Sequence, residues 1–191
     1  MFKCKRALYV ICAFVLMITS AGCSSGKDIH QKIHDKFYSM NSYKAKCELT
    51  VHSNKNTSKY DFICNYNAYD ESFLLTYDNM EVTINEKNNN AKITSGTSVM
   101  EVPLKDEDML IVINTFFKSY YESENSIQKT AGTINSGTTL LKCSLITPSK
   151  YGSIMKLWID NKTVLPVKMQ VTDENDEVKL ETVFKTFEFI K

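Results

Sequence analysis

Two runs of strict alternation mark the middle of the chain. Tyr43, Ala45, Cys47, Leu49 and Val51 alternate with Lys44, Lys46, Glu48, Thr50 and His52. Beyond the polar break Asn54-Lys55-Asn56-Thr57, a second run sets Tyr60, Phe62, Cys64, Tyr66 and Ala68 on one face. A period of two is that of a strand with one buried side, and two such runs about a short turn predict a β-hairpin. Four shorter strands follow, over Ser72 to Tyr77, Met80 to Asn85, Ala91 to Ser95 and Val99 to Val102, separated by Asp78-Asn79, the Asn88-Asn89-Asn90 triplet and Gly96. Separators this short exclude parallel crossovers, so the strands form an antiparallel meander.

The period changes to that of a helix in two places. Ile29, Ile33, Phe37 and Met40 fall on one stripe behind Asp28, with Gln31 three residues on as a capping-box partner. After Pro103, the residues Met109, Leu110, Val112, Ile113, Phe116, Phe117 and Tyr120 make a broad apolar face, and the preceding Asp106-Glu107-Asp108 suits a helix N-terminus electrostatically. Strands resume at Ile127 to Ile134, Thr138 to Ile146, Ile154 to Asp160, Leu165 to Thr172 and Val178 to Phe189. Turns fall at Pro148 to Gly152, Asp160 to Thr163 and Asp173 to Asp176, and Pro166 belongs at an edge or beside a bulge. The expected fold class is mainly β, α+β: a long, twisted antiparallel sheet forming an unclosed half-barrel, with helices on its concave face.

The N-terminus obeys a different rule. Met1 to Arg6 is basic, and Ala7 to Gly22 carries no charge. The strictly apolar part, Ala7 to Ile18, is shorter than the ~20 residues a spanning helix needs, which favours a cleaved signal peptide. Ser20-Ala21-Gly22-Cys23 resembles a bacterial lipobox, in which the Cys23 thiol takes a diacylglyceryl group and the freed amine an N-acyl chain. The expected organisation is a leader over residues 1–22, a lipidated tether over 23–28 and one domain over 29–191. An ordinary secretory cut near Gly22 is the alternative. Acyl chains buried at ~0.8 kcal/mol per CH₂ would hold such a protein on the outer face of the membrane.

Composition then excludes classes more than it names one. The chain has 23 Lys plus Arg against 22 Asp plus Glu, and removing residues 1–22 from 191 takes away three cations and no acid, leaving a net charge of −2. That balance argues against a nucleic-acid partner, and 10 Tyr with 10 Phe argue against disorder. Six cysteines suggest a disulfide framework until Cys4 and Cys12 go with the leader and Cys23 is taken by lipid. Of the rest, Cys47 would stand opposite Cys64 if the hairpin closes with Ser53 facing Ser58. That pairing is compatible with a cross-strand disulfide, and the same positions also suit two small buried thiols. Cys143 reads as core.

No sequence feature announces catalysis. His30 and His34 are spaced i,i+4 but lack a third ligand, and the acidic clusters at Asp106 to Asp108 and Asp173 to Glu177 lack the spacing of a Ca²⁺ loop. No phosphate-binding glycine loop is present. The aromatics exceed what a small sheet needs. Phe62, Tyr66, Phe116, Phe117 and Trp158 are candidate lining for an apolar cavity between sheet and second helix, or else they fill that space as closed core.

The stretch Leu157-Trp158-Ile159-Asp160-Asn161-Lys162-Thr163-Val164-Leu165-Pro166-Val167-Lys168-Met169, the exit Asp173 to Asp176 into Val178 to Phe189, and the opening Met40 to Ala45 together resemble the LolA/LolB-like lipoprotein superfamily. Within it the chain is most similar to the GerS-type spore-germination lipoproteins of clostridia. The resemblance implies a LolA-like fold and a non-enzymatic role in spore germination. It implies a cell-wall N-acetylmuramoyl-L-alanine amidase acting on cortex peptidoglycan as partner, and a place between the forespore and mother-cell membranes. Attachment to the membrane would come from the lipid anchor, and sheet edges offer a route to a homodimer. A lipid- or lipoprotein-binding carrier using the concave cavity is the alternative.

Overall fold

The computed structural model describes residues 28–38, 41–122 and 137–190, so the leader, Cys23 and the strand expected over Ile127 to Ile134 lie outside the described residues. The elements are α1 (Ile29–Phe37), β1 (Tyr43–His52), β2 (Thr57–Asn67), β3 (Ser72–Tyr77), β4 (Met80–Asn85), β5 (Asn90–Ser95), β6 (Ser98–Pro103), α2 (Ile113–Glu122), β7 (Thr138–Ser149), β8 (Gly152–Asp160), β9 (Pro166–Thr172) and β10 (Val178–Phe189). A 3-10 turn at Asp106–Met109 precedes α2. All ten strands form one antiparallel sheet in the order β6-β5-β4-β3-β2-β1-β10-β9-β8-β7. Its two end strands do not pair, so the sheet is unclosed, as the sequence led us to expect.

Alternation decides which face is buried. On β1 the side chains of Tyr43, Ala45, Cys47 and Leu49 are buried, and on β2 those of Phe62, Cys64 and Tyr66. The opposite face of these strands carries a charge ladder: Glu48 accepts from Lys59 at 3.0 Å and from Lys185 at 2.9 Å, and Lys185 also reaches Asp61 at 2.9 Å. β10 cannot keep one parity throughout, because its inward residues are Leu180 and Thr182 at one end and Phe187 at the other. The register shift opposite Lys46/Cys47 absorbs the extra residue, pairing Phe184 with Cys47 and Thr186 with Lys46. A bulge of this kind bends the strand and restores the buried parity. Pro166, buried at the start of β9, sits beside a second irregularity between Trp158 and Ile159.

The helices close the buried side. α2 packs on β7 and β8. α1 joins it through Phe37, whose ring stacks on Phe117 with centroids 4.4 Å apart and planes at 14°, worth about 0.5–1.5 kcal/mol beyond the area buried. Two helix expectations need correction. Asp28 occupies the α1 N-cap position without a side-chain cap bond, and Gln31 donates instead to Asp35 at 2.7 Å. The run from Asp106 is not one helix: Asp108 Oδ2 accepts the Lys105 N–H at 3.0 Å, and three-residue bonds continue to Val112 before α2 begins.

Candidate functional site

The inner face of the sheet is built in rows set by the strand register. One row runs Tyr43, Tyr66, Phe73, Ile84, Ala91, Val102 from β1 to β6, and the next runs Ala45, Cys64, Leu75, Val82, Ile93, Met100. A third begins Cys47 and Phe62, continues through Tyr77, whose ring stacks on Phe62 with centroids 5.4 Å apart, to Met80, and ends at Ser95 and Ser98. Where these rows pass under the helices they are closed. Phe62, Tyr66, Phe116 and Phe117 are all buried in one continuous apolar cluster with Phe37 and Phe73.

Towards β6 the cover ends. Met80 is 37% and Met100 55% exposed, and Val82 and Ile93 between them are half-buried. The inner face therefore ends in an open apolar strip across β4, β5 and β6. Contiguous exposed apolar surface of this kind marks an interaction site more often than scattered residues do. Sequence pattern alone could have found Met80, Val82, Ile93 and Met100 as inward positions. That the helices stop short of them is a tertiary fact.

Trp158 does not belong to this face. On β8 the buried residues Met155, Leu157 and Ile159 point inward, so Trp158 points to the outer side, where Lys168 Nζ lies 4.4 Å from its ring centroid. The expectation that Trp158 lines the cavity is thus corrected. Lys156 and Asp160 share the parity of Trp158, so the alternation of β8 already sets Trp158 apart from the apolar side of Met155, Leu157 and Ile159. The pairing expected for the cysteines is also corrected. The hairpin closes at His52 opposite Thr57, so Cys47 faces Phe62 and Cys64 faces Ala45. Ser53 fixes this loop by accepting the Asn56 N–H at 3.1 Å and donating to the Asn56 carbonyl at 2.9 Å. Cys47 and Cys64 become diagonal neighbours on the inner face, about 7–8 Å apart by Cα, and both are free thiols, as is Cys143.

The chemistry of the closed part is that of neutral groups. Tyr43 is 1% exposed and donates its hydroxyl to Asn114 Oδ1 at 2.9 Å, while the Cys64 thiol approaches the same hydroxyl oxygen at 3.8 Å. Burial, reinforced by Cys64, pushes the Tyr43 phenol well above its ordinary value. Burial likewise pushes Cys64, Cys143 and Tyr77 up to about 12, and Cys47 higher still. Thiols held protonated in this way are poor nucleophiles. His30 and His34 sit on α1, and His52 Nδ1 lies 3.3 Å from Thr57 Oγ1. Among the described residues no three His, Cys, Asp or Glu side chains form a metal-binding group. The acidic turn at Asp173 is tied internally, its Oδ1 accepting the N–H groups of Asn175 and Glu177 at 3.0 Å.

A separate hollow of about 650 Å³ opens at the end of the sheet, lined by Asp35, Lys36, Asn41, Ser42, Ala68, Phe189 and Ile190. Its one cationic head, Lys36 Nζ, donates to the Thr163 carbonyl at 2.7 Å and so braces α1 on the β8–β9 turn.

The family model for YdcC-like sporulation proteins matches residues 3–191. The chain belongs to the YdcC-like sporulation protein family. Solved structures similar to this YdcC-like chain include an uncharacterized conserved protein from Thermus thermophilus, 11% identical, covering 86% of this chain and 89% of that one, TM-score 0.48. A LolA superfamily protein from Nitrosomonas europaea is 8% identical, with 85% and 92% covered and a TM-score of 0.44. A chain from the complex of the Clostridioides difficile CwlD amidase with the GerS lipoprotein is 20% identical, with 88% and 98% covered and a TM-score of 0.39. These neighbours include the LolA-like and GerS-type proteins that the sequence resembles. No curated protein matches the chain.

Proposed function

We propose that this YdcC-like protein is a non-enzymatic, membrane-anchored extracytoplasmic protein of sporulating cells that binds and activates a cell-wall N-acetylmuramoyl-L-alanine amidase. The observation that carries the reading is the open apolar strip of Met80, Val82, Ile93 and Met100 running out to β6. It is a surface suited to a protein partner, on a domain whose buried phenols and thiols are held neutral. Membership of the sporulation family supports the cellular setting. The lipobox at Cys23 supports the anchor, a diacylglycerol with an N-acyl chain. The amidase comes from the resemblance to GerS-type proteins, one of which has been solved with the CwlD amidase.

The test is a pull-down of the tagged, lipidated protein from sporulating cells. Recovery of a peptidoglycan amidase, reduced by Met100→Asp, is the expected result. Native mass spectrometry after gentle extraction supplies the opposing outcome: a co-purifying lipid without any protein partner would overturn the binding role in favour of a carrier.

A further inference from the structure

The outer edge of β6 is an unpaired strand edge among the described residues, and its hydrogen-bonding phase can be worked out. Gly96 and Thr97 join β5 to β6 as a two-residue turn, with Gly96 at φ +58° and Ser95 opposite Ser98. Such a turn closes on a pair that exchanges both backbone hydrogen bonds, and bonded and unbonded pairs alternate from there. Ser98, Met100 and Val102 therefore direct N–H and C=O towards β5, a phase continued by the 3.1 Å bond from Leu104 N–H to the Asn89 carbonyl. Val99, Glu101 and Pro103 direct theirs outward. Pro103 has no N–H, so the free edge offers two complete donor–acceptor residues, Val99 and Glu101, and then stops.

The side chains at this edge are as specific as its backbone. Met100 projects from the inner face and Val99 from the outer, 55% and 57% exposed. Glu101 shares the outer face with Val99, is exposed, and stands opposite Lys92 of β5 without forming an ion pair with it among the described residues. An apolar edge bearing one carboxylate, with Lys92 across from it on the β5 side and, among the described residues, nothing beside it on the open side, selects what can pair with it, by charge on one face and by apolar contact on the other.

We propose that β6 docks an extended segment of the partner protein with the order basic–apolar–apolar, added antiparallel to Val99–Glu101. The basic residue lies beside the Glu101 carboxylate, the next residue covers Met100 on the inner face, and the third covers Val99. The contact is short, because Pro103 ends the ladder, and it extends the open strip of the inner face by one strand. This rests on the reading that the chain binds a protein partner, and it names the place and the chemistry of that contact.

The probe is a blocked peptide with a Lys-Val-Val core flanked by threonines, added to the full-length protein in detergent, with amide hydrogen exchange as the readout. Saturating peptide is expected to slow the Val99 and Glu101 amides about ten-fold or more and leave Met100 and Val102 unchanged. Glu101→Lys is expected to abolish binding of that peptide and to admit one with a Glu-Val-Val core. No binding at millimolar peptide, or binding without protection of Val99 and Glu101, overturns the proposal. So does concentration-dependent protection of the same amides without peptide, which would assign the edge to a second copy of the chain. In the pull-down, an amidase recovered equally by wild type and Glu101→Lys would remove β6 from the interface while leaving the binding role intact. Failure of the wild type to recover an amidase would count against that role alone.

Discussion

Tyr43, the first residue of β1, donates its hydroxyl to Oδ1 of Asn114 in the first turn of α2, 71 positions away, at 2.9 Å. The bond fastens the helix to the middle of the sheet at a phenol that is 1% exposed. Asn114→Ala leaves that hydroxyl buried without its acceptor and is expected to cost about 1–3 kcal/mol in urea unfolding. Tyr43→Phe, which removes the donor itself, is expected to cost less, about 1 kcal/mol. Equal costs would mean that the phenol does not depend on Asn114.

Two glycines with positive φ separate conformational strain from collision. Gly152 has φ +145°, and a Cβ there would meet the Thr172 carbonyl oxygen at 2.2 Å. Gly152→Ala must push β8 away from β9 and is expected to lose about 3 kcal/mol or more. Gly96 has φ +58° with nothing within 4 Å of the added carbon, so Gly96→Ala carries only the left-handed penalty of about 1–2 kcal/mol. Thermal unfolding of the two variants side by side checks the order.

The buried thiols predict an alkaline weakness. Cys64, Cys143 and Tyr77 are raised by burial to about 12 in the folded chain, whereas unfolded thiols ionise near ~8.5 and phenols near ~10. The unfolded state therefore sheds protons first, so the contribution of these groups is complete below about pH 8.5 and is lost as pH climbs towards 12. The urea midpoint is expected to hold from pH 7 to 8 and to fall by pH 11, with Cys143→Ala removing part of the decline.

The same burial governs thiol chemistry. At pH 8 a chromogenic disulfide reagent is expected to leave Cys47, Cys64 and Cys143 untouched in the folded protein and to titrate all three after denaturation without reductant. Only one reactive thiol among them would restore the disulfide between Cys47 and Cys64.

Trp158 is the single tryptophan of the chain, which makes its outer-face setting directly observable. Lys168→Met removes the cation held over the ring and the 3.7 Å pair with Glu181. A shift in the Trp158 emission and a loss of about 0.5–1 kcal/mol are expected. An unchanged spectrum would show that Lys168 does not cover the ring in solution.

Much of the fold was legible because alternation is a local property. The bounds of β3, β4 and β10 coincide with the alternating or apolar runs read from the chain, and the short Asn- and Gly-bearing separators required an antiparallel meander. The features that escaped were those set by one extra residue or by a neighbour. A hairpin loop of four residues closing at His52 and Thr57 moved Cys64 two places from the position expected for it. An extra residue after Phe184 in β10 turned Phe187 inward alongside it.

The candidate site divides in the same way. The sequence by itself determined which residues could face inward, since parity on β4, β5 and β6 places Met80, Val82, Ile93 and Met100 on one side. It also held the side of Trp158, which shares its parity with Lys156 and Asp160 against the apolar Met155, Leu157 and Ile159, although its aromatic ring suggested cavity lining. It could not show that β6 is an unpaired edge among the described residues, with Val99 and Glu101 directed outward. Burial and edge exposure depend on where distant elements stop, and among the described residues the helices stop before they reach β6.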